Sequence, residues 1–257
     1  MRKTKQVICF ALLFVLAFSL SGCGQEDKEE EKKIIVAGVC GDTAPYAFHT
    51  TGDNGADVLT GLDVSIAKSI ADDAGCILEL KDMPYDSLLS EMTKGNLDFV
   101  VSHMVPTEEY AALADFSEPY HKSHTCILVR EENAQTYASL SNFSGSVLGV
   151  QQGSVYQGTV ERKIPGVETV TAETLDTLFE MLNNDVIDGI VFSADAGAYY
   201  ANHGDYAVAQ AFQDEAFSYS AATAKGNKGL LEKINHTLTR LEEENAIDGM
   251  LSDLHDE

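Results

Sequence analysis

The chain has 257 residues, 44% of them apolar, and its 41 acidic side chains outnumber 17 basic ones for a formal charge of −24. A surface of that sign repels phosphate backbones and anionic lipid, which excludes nucleic acid as a partner and excludes membrane binding by charge. It modestly favours a cationic or zwitterionic solute, although acidity also serves plain solubility.

The chain opens as an export signal. Arg2, Lys3 and Lys5 form a cationic head, and the apolar run from Val7 to Leu20 is shorter than the ~20 residues of a membrane-spanning helix. It ends at Leu20–Ser21–Gly22–Cys23, small residues before a cysteine that resemble the lipobox of bacterial lipoproteins. The resemblance implies a leader over 1–22, cleavage before Cys23, and acylation of that cysteine on sulfur (the palmitate-type lipid) and on its new amine. The alternative is an ordinary secretory signal with an incidental cysteine. With Cys23, residues 23–33 then make a charged tether of low hydrophobicity. Several acyl chains hold a protein to a membrane far more firmly than one. Of the other cysteines, Cys9 lies in the leader, and Cys40, Cys76 and Cys126 are odd in number and widely spaced. That is neither a disulfide framework nor a zinc site. Cys40 and Cys76 could pair if their strands are neighbours; buried free thiols are the simpler reading.

Past the tether, short apolar strands alternate with amphipathic helices. Ile34–Val39 reads as a strand, followed by a loop with two aromatics (Ala44 to Phe48) and a polar turn over Thr50 to Asp57. A helix opens at Gly61 with Asp63 as its expected cap, buries Ile66, Ala67, Ile70 and Ala71, and ends at Gly75. Ile77 to Leu80 is a second strand, and Tyr85 heads a second helix. Leu97 to Val101 is a buried strand that breaks at Ser102–His103–Met104, where backbone amides are expected to be free. Pro106, Thr107, Glu108 and Glu109 then carry helix-start chemistry. Further strands are expected at Thr125 to Val129, Ser146 to Val150, Tyr206 to Ala209 and Tyr219 to Ala224, with a crossing near Arg130–Asn133. Leu230, Leu231, Ile234, Leu238 and Leu241 stripe one closing helix; Ile247, Met250, Leu251 and Leu254 stripe another.

An internal copy organises this series. Asp86, Leu88, Leu89, Met92, Leu97, Asp98, Val100 and Val101 match Asp176, Leu178, Phe179, Leu182, Ile187, Asp188, Ile190 and Val191 at one constant offset. In each copy an amphipathic helix precedes a strand entered through an aspartate. Alternation of this kind gives an α/β fold with a mostly parallel sheet in each of two lobes. Each lobe presents a strand-end loop, Ser102–Met104 from one and Phe192–Asp195 from the other. Ligands of open α/β sheets bind at strand carboxyl ends and in clefts between domains.

Gly61–Leu–Asp–Val–Ser–Ile–Ala–Lys–Ser–Ile–Ala71, Gly95–Asn–Leu–Asp98, Asp115–Phe–Ser–Glu–Pro–Tyr120, Leu148–Gly–Val–Gln–Gln–Gly153 and Tyr219–Ser–Ala–Ala–Thr–Ala–Lys225 together resemble the polar-amino-acid-type extracellular solute-binding proteins (family 3) of ABC importers. The resemblance implies a two-lobed periplasmic-binding-protein fold (type II) with a two-strand hinge. One lobe spans 34–128 with 217–257 and the other 129–216. It also implies a small-molecule ligand clamped between the lobes, delivery to an ABC permease in the membrane, no cofactor and no catalysis. By position, ligand-facing candidates are Tyr46, Tyr85, Ser102, His103, Met104, Tyr110, Gln151, Ser154, Ser193 and Asp195.

The site departs from the family pattern. Members that bind α-amino acids usually carry an arginine after the Thr-x-x turn, clasping the α-carboxylate bidentately; here that position is Tyr110. The usual acid past the second-lobe strand falls at Ser193, with Asp195 two residues on. His103 replaces a small glycine and Val105 a hydroxyl residue. A standard α-amino acid clamp is therefore not expected, and the expected ligand is a small polar compound, neutral or cationic. Tyr46 and Tyr85 could equally be packing aromatics, Ser193 a helix cap, and Tyr110 solvent-facing; His103 either touches ligand or fills its space. Two other functions remain open at this stage. One is a dehydratase-type enzyme on the same scaffold, with His103 and Asp195 as acid and base. The other is a degenerate receptor for a protein partner. His121 and His124 have i, i+3 spacing but no third ligand in register, so they read as surface histidines rather than a metal site.

Overall fold

The computed structural model describes residues 32–52 and 54–256; the expected leader, Cys23 and the tether as far as residue 31 lie outside the described residues. In the first half, strand β1 (Ile34–Val39) runs parallel between β5 (Ile77–Asp82) and β6 (Phe99–Val100). Its unbroken apolar sequence suits a strand covered on both faces. Helix α1 (Leu62–Asp73) buries the predicted Ile66, Ala67, Ile70 and Ala71, and Gly75 ends it at φ 69°. Its start is more constrained than expected. Gly61 has φ 124°, and a Cβ there would collide with the Tyr46 carbonyl. The amides of Leu62 and Asp63 donate to the carbonyls of Pro45 and Tyr46 at 3.0 and 2.8 Å. Only glycine lets the helix sit this tightly on the turn that carries Tyr46. Asp63 is not the cap; no side chain caps this helix, and Asp63 is fully buried.

The second half repeats the plan. Strand β8 (Val147–Gln151) lies parallel between β9 (Glu168–Ala172) and β10 (Gly189–Ser193). The helices of the internal copy are α2 (Leu88–Thr93) and α5 (Leu175–Asn183). Its paired aspartates do the same work twice. Asp98 donates its amide to the Val36 carbonyl and accepts the Val36 amide on Oδ2, both at 2.8 Å. Asp188 makes the identical reciprocal pair with Val147, again at 2.8 Å twice. Each aspartate thus locks the register of its half's central strand. Gly38 and Gly149 match as well: a Cβ would meet Leu97 and Leu88 in one half, Ile187 and Leu178 in the other.

The halves share one sheet, ordered β5-β1-β6-β11-β7-β10-β8-β9. Its centre is an antiparallel ribbon of β7 (Ala114–Arg130) and β11 (Tyr206–Ala224). Each is much longer than the sequence suggested. Thr125–Val129 is only the end of β7, and the two expected late strands are one strand interrupted by register shifts. Bulges let polar and irregular stretches stay in the ladder while breaking the alternation that periodicity needs. The ribbon itself carries the chain from half to half: Asp115 and Phe116 face the β11 segment beside β6, whereas Thr125–Leu128 already pair with β10. Arg130–Asn133, expected as the crossing, closes the strand in a 3-10 turn. Helices α7 (Lys228–Glu243) and α8 (Ala246–Asp256) follow as predicted, with Ile234, Leu238, Leu241, Ile247, Leu251 and Leu254 buried. Cys40, Cys76 and Cys126 are free; Cys40 does not pair with Cys76.

The expected polar turn after Tyr46 is a small antiparallel sheet of β2 (Asp42–Thr43), β3 (Ala47–Thr51) and β4 (Asp57–Thr60). His49 pins it, with Nδ1 2.8 Å from Asp57 and Nε2 2.8 Å from Asp82. The hydrogen bond to Asp82 is the main cause of a raised His49 pKa. A raised folded-state pKa stabilises below the unfolded value, and that stability disappears as pH rises through the folded value. A titration of the melting temperature from about pH 6 to 9 should therefore show a falling component that is absent in His49→Ala. Asp98→Ala and Asp188→Ala should each lower the urea-unfolding free energy by about 1–3 kcal/mol. Since they share no partner, the double variant should show nearly the sum.

Candidate functional site

Five strand ends and turns meet where the halves face each other. The β6 end supplies Ser102–Met104, and the turn between β2 and β3 supplies Tyr46. Ser193 and Asp195 lie where β10 becomes helix α6 (Ala194–His203), β7 brings Tyr120 and His121, and β11 brings Tyr219. Tyr46 is fully buried and spans the divide: its hydroxyl hydrogen-bonds Ser193 Oγ at 2.9 Å and Asp195 Oδ2 at 2.8 Å. His121 Nε2 reaches the same Asp195 oxygen at 3.0 Å. Burial pushes the Asp195 carboxyl up, but His121, the neighbouring Ser123 hydroxyl and the Tyr46 hydroxyl together outweigh it and hold its pKa down to about 2.

The Tyr46 ring stacks on His103, with centroids 4.8 Å apart and planes at 20°. Tyr85 lies 5.4 Å from His103 at 36°. Tyr219 closes the group edge-on, 5.4 Å from Tyr46 and 6.0 Å from His103, and its hydroxyl meets that of Tyr156 at 3.1 Å. Beneath lies Asp63, whose Oδ1 accepts from the Tyr120 hydroxyl at 2.6 Å. The His103 amide, expected to be free, donates to that same hydroxyl at 2.8 Å. Burial and the neighbouring Asp63 push the Tyr120 hydroxyl far above its usual pKa, so it stays a neutral donor.

The structure therefore brings together Tyr46, Tyr85, His103, Ser193 and Asp195 of the predicted set. Gln151 and Tyr110 also bridge the halves, further out. Gln151 Nε2 donates to Asp42 Oδ2 at 2.9 Å, an oxygen that also accepts the Leu175 amide at 3.0 Å. The Tyr110 hydroxyl donates to the Gly153 carbonyl at 2.6 Å, so it does not simply face solvent. Ser193 is both a Tyr46 partner and the cap of α6, accepting from the Ala196 amide at 3.1 Å. Three predicted residues are engaged elsewhere. Ser102 Oγ accepts the Cys40 amide at 3.0 Å, Met104 packs with Cys40, Leu88, Met92 and Leu97, and Ser154 donates to its own loop at Gln151 O, 2.8 Å away.

Sequence reasoning missed Asp42, Asp63, Tyr120, His121, Tyr156 and Tyr219. His121 is not a surface histidine, since its side chain is only 14% exposed. It lies opposite Tyr219 in the β7–β11 ladder, a pairing that only the register of the long ribbon sets. Asp63, fully buried, and Asp195, half-buried, each lie within ion-pair distance of an imidazole, His103 and His121 respectively. Among the described residues no lysine or arginine forms an ion pair with either, nor with Asp42. Aromatic faces with buried carboxylates suit hydrogen-bond donors and cations, and offer nothing to balance a buried carboxylate. Among the described residues no group of three or more His, Cys, Asp or Glu is placed to hold a metal ion.

The sequence pattern of the bacterial extracellular solute-binding proteins, family 3, matches residues 35–253. The chain belongs to this family. It is 27% identical to the arginine-binding extracellular protein ArtP of Bacillus subtilis over 91% of each chain. It is 26% identical to the L-cystine-binding protein TcyJ of Escherichia coli K12, covering 93% of this chain and 90% of that one. The crystal structure of the amino acid ABC transporter substrate-binding protein AbpA of Streptococcus pneumoniae, bound to L-arginine, superposes with a TM-score of 0.80 at 26% identity, over 87% of this chain and 94% of that one. The family-3 fold is thus the two-lobed one expected, and these family-3 relatives are binding proteins rather than enzymes. Removing the hydroxyl that joins the halves should be measurable. Tyr46→Phe should destabilise this family-3 protein by about 1–3 kcal/mol. It should also raise the Asp195 pKa, read by carboxyl-carbon NMR. A depressed carboxyl stabilises above its unfolded pKa and loses that contribution as pH falls towards about 2, so the variant's acid unfolding should begin at higher pH.

Proposed function

We propose that the protein is a lipid-anchored receptor of an ABC importer that captures a small amino-acid-like cation. In this reading the two lobes, joined through the β7–β11 ribbon, grip the solute and present it to a membrane permease. Cys23 carries the acyl anchor outside the cytoplasmic membrane. The observation that carries the ligand class is the charge balance of the cleft. Asp195 is hydrogen-bonded to Tyr46 and Asp63 lies beside His103 and Tyr120, with Asp42 further out; Tyr110 takes the place of the carboxylate-binding arginine, and among the described residues no lysine or arginine is paired with those acids. The relatives named for arginine and for cystine support an amino-acid-like size. The cleft favours the basic end of such a molecule and lacks a partner for its carboxylate.

Arginine and agmatine differ only in that carboxylate, which makes them the deciding pair. Calorimetry on the full chain should give tighter binding for agmatine, and Asp195→Asn should weaken it by about tenfold, the loss of one buried charge-assisted hydrogen bond. Tighter binding of arginine would overturn the ligand class. Cys23→Ser should move the protein from the membrane to the soluble fraction and abolish labelling with a palmitate analogue.

A further inference from the structure

His103 stands at the centre of the cleft, and three features of its placement are unusual together. Its backbone has φ 35°, the left-handed region that a bulky residue adopts only when its surroundings impose it. The neighbours hold it there: Ser102 Oγ is fixed to the Cys40 amide at 3.0 Å, the His103 amide to the Tyr120 hydroxyl at 2.8 Å, and the Met104 carbonyl to the Ser220 amide at 3.0 Å. The ring is then layered on Tyr46 and flanked by Tyr85, with Tyr219 edge-on, the arrangement in which aromatic residues hold a planar cation. Finally, His103 Nδ1 is 3.4 Å from Asp63 Oδ2, yet neither atom makes a hydrogen bond although both are buried. A fully buried carboxylate oxygen without a donor is a vacancy for one.

We propose that His103 is a specificity-determining residue that acts as a tethered occupant of the cleft, holding the place of a planar cationic group between Tyr46 and Tyr85 above Asp63. The ring and such a group are mutually exclusive. While His103 is in place, the protein admits only solutes that displace it or that sit wholly on the Asp195 side of Tyr46. Removing the ring leaves an aromatic-walled cavity with an unpaired carboxylate as its floor. This rests on the cleft being a solute site, but the test needs no native solute.

The experiment uses the full-length chain with His103→Gly, which removes both ring and backbone strain, and His103→Asn, which tolerates the left-handed backbone with a smaller side chain. The probes are methylguanidinium and imidazole, with pyrazole as a planar control of imidazole's size that stays neutral, titrated at about pH 6, where imidazole is mostly protonated. Methylguanidinium and imidazole should bind the variants saturably and about tenfold or more tighter than wild type, as for a cation on desolvated aromatic faces. Pyrazole should bind more weakly, and adding Asp63→Asn should erase the gain. Folded variants that bind the cations no better than wild type overturn the proposal, as does pyrazole binding equal to imidazole. Should both variants fail to fold, wild-type NMR decides. His103 ring protons must show nuclear Overhauser contacts to Tyr46 and Tyr85 that methylguanidinium weakens in proportion to its occupancy; their absence or indifference overturns it. Agmatine binding to wild type is a separate readout, so failure of the receptor reading and failure of the occupant proposal are told apart.

Discussion

The hydroxyl of Tyr46 is the hinge pin of the site's chemistry. It belongs to the first half by its place in the turn between β2 and β3, yet its partners Ser193 and Asp195 belong to the second. Its ring stacks on His103 and meets Tyr219 edge-on. The position of that ring depends in turn on Gly61, whose positive φ lets the first turn of α1 rest directly on the Tyr46 carbonyl. Backbone packing at one glycine thus fixes a tyrosine, and the tyrosine ties two halves of a sheet together across their cleft. Outer contacts from Gln151 to Asp42 and from Tyr110 to Gly153 reinforce the same closure at the cleft's rim.

Around that pin the electrostatics are one-sided. A buried carboxylate, Asp63, and a half-buried one, Asp195, face the cleft, each against an imidazole rather than, among the described residues, a guanidinium or ammonium. Asp195 remains ionised because donors surround it despite its burial. Asp63, by contrast, keeps one oxygen without any hydrogen bond. In a site of low dielectric these differences are amplified, because an unmatched charge is penalised more heavily there than in water. Both cleft-facing carboxylates therefore rely on imidazole and hydroxyl donors for their partners.

Some of this was legible from the order of residues. The internal copy pointed to Asp98 and Asp188 as equivalents, and they prove to lock Val36 and Val147 by the same reciprocal pair of bonds. Strand-end loops were placed correctly because apolar runs ending in small polar residues are local signals. Asp63 was misread for an equally local reason. An acidic residue in a helix's first turn is usually a cap or a dipole partner, and nothing nearby in sequence reveals that Tyr120 will reach it from β7.

What the sequence alone determined was the alternation of elements, the duplicated half-domain and the family, since each is carried by residue identity or by spacing within one element. The tertiary structure decided which side chains share the cleft. His121 meets Asp195 and Tyr219 because bulges in the long β7–β11 ribbon set their register. His103 fills the space between Tyr46 and Tyr85 because its backbone is held left-handed by bonds to distant strands. Contacts of that kind join residues far apart in the chain, and no local pattern encodes them.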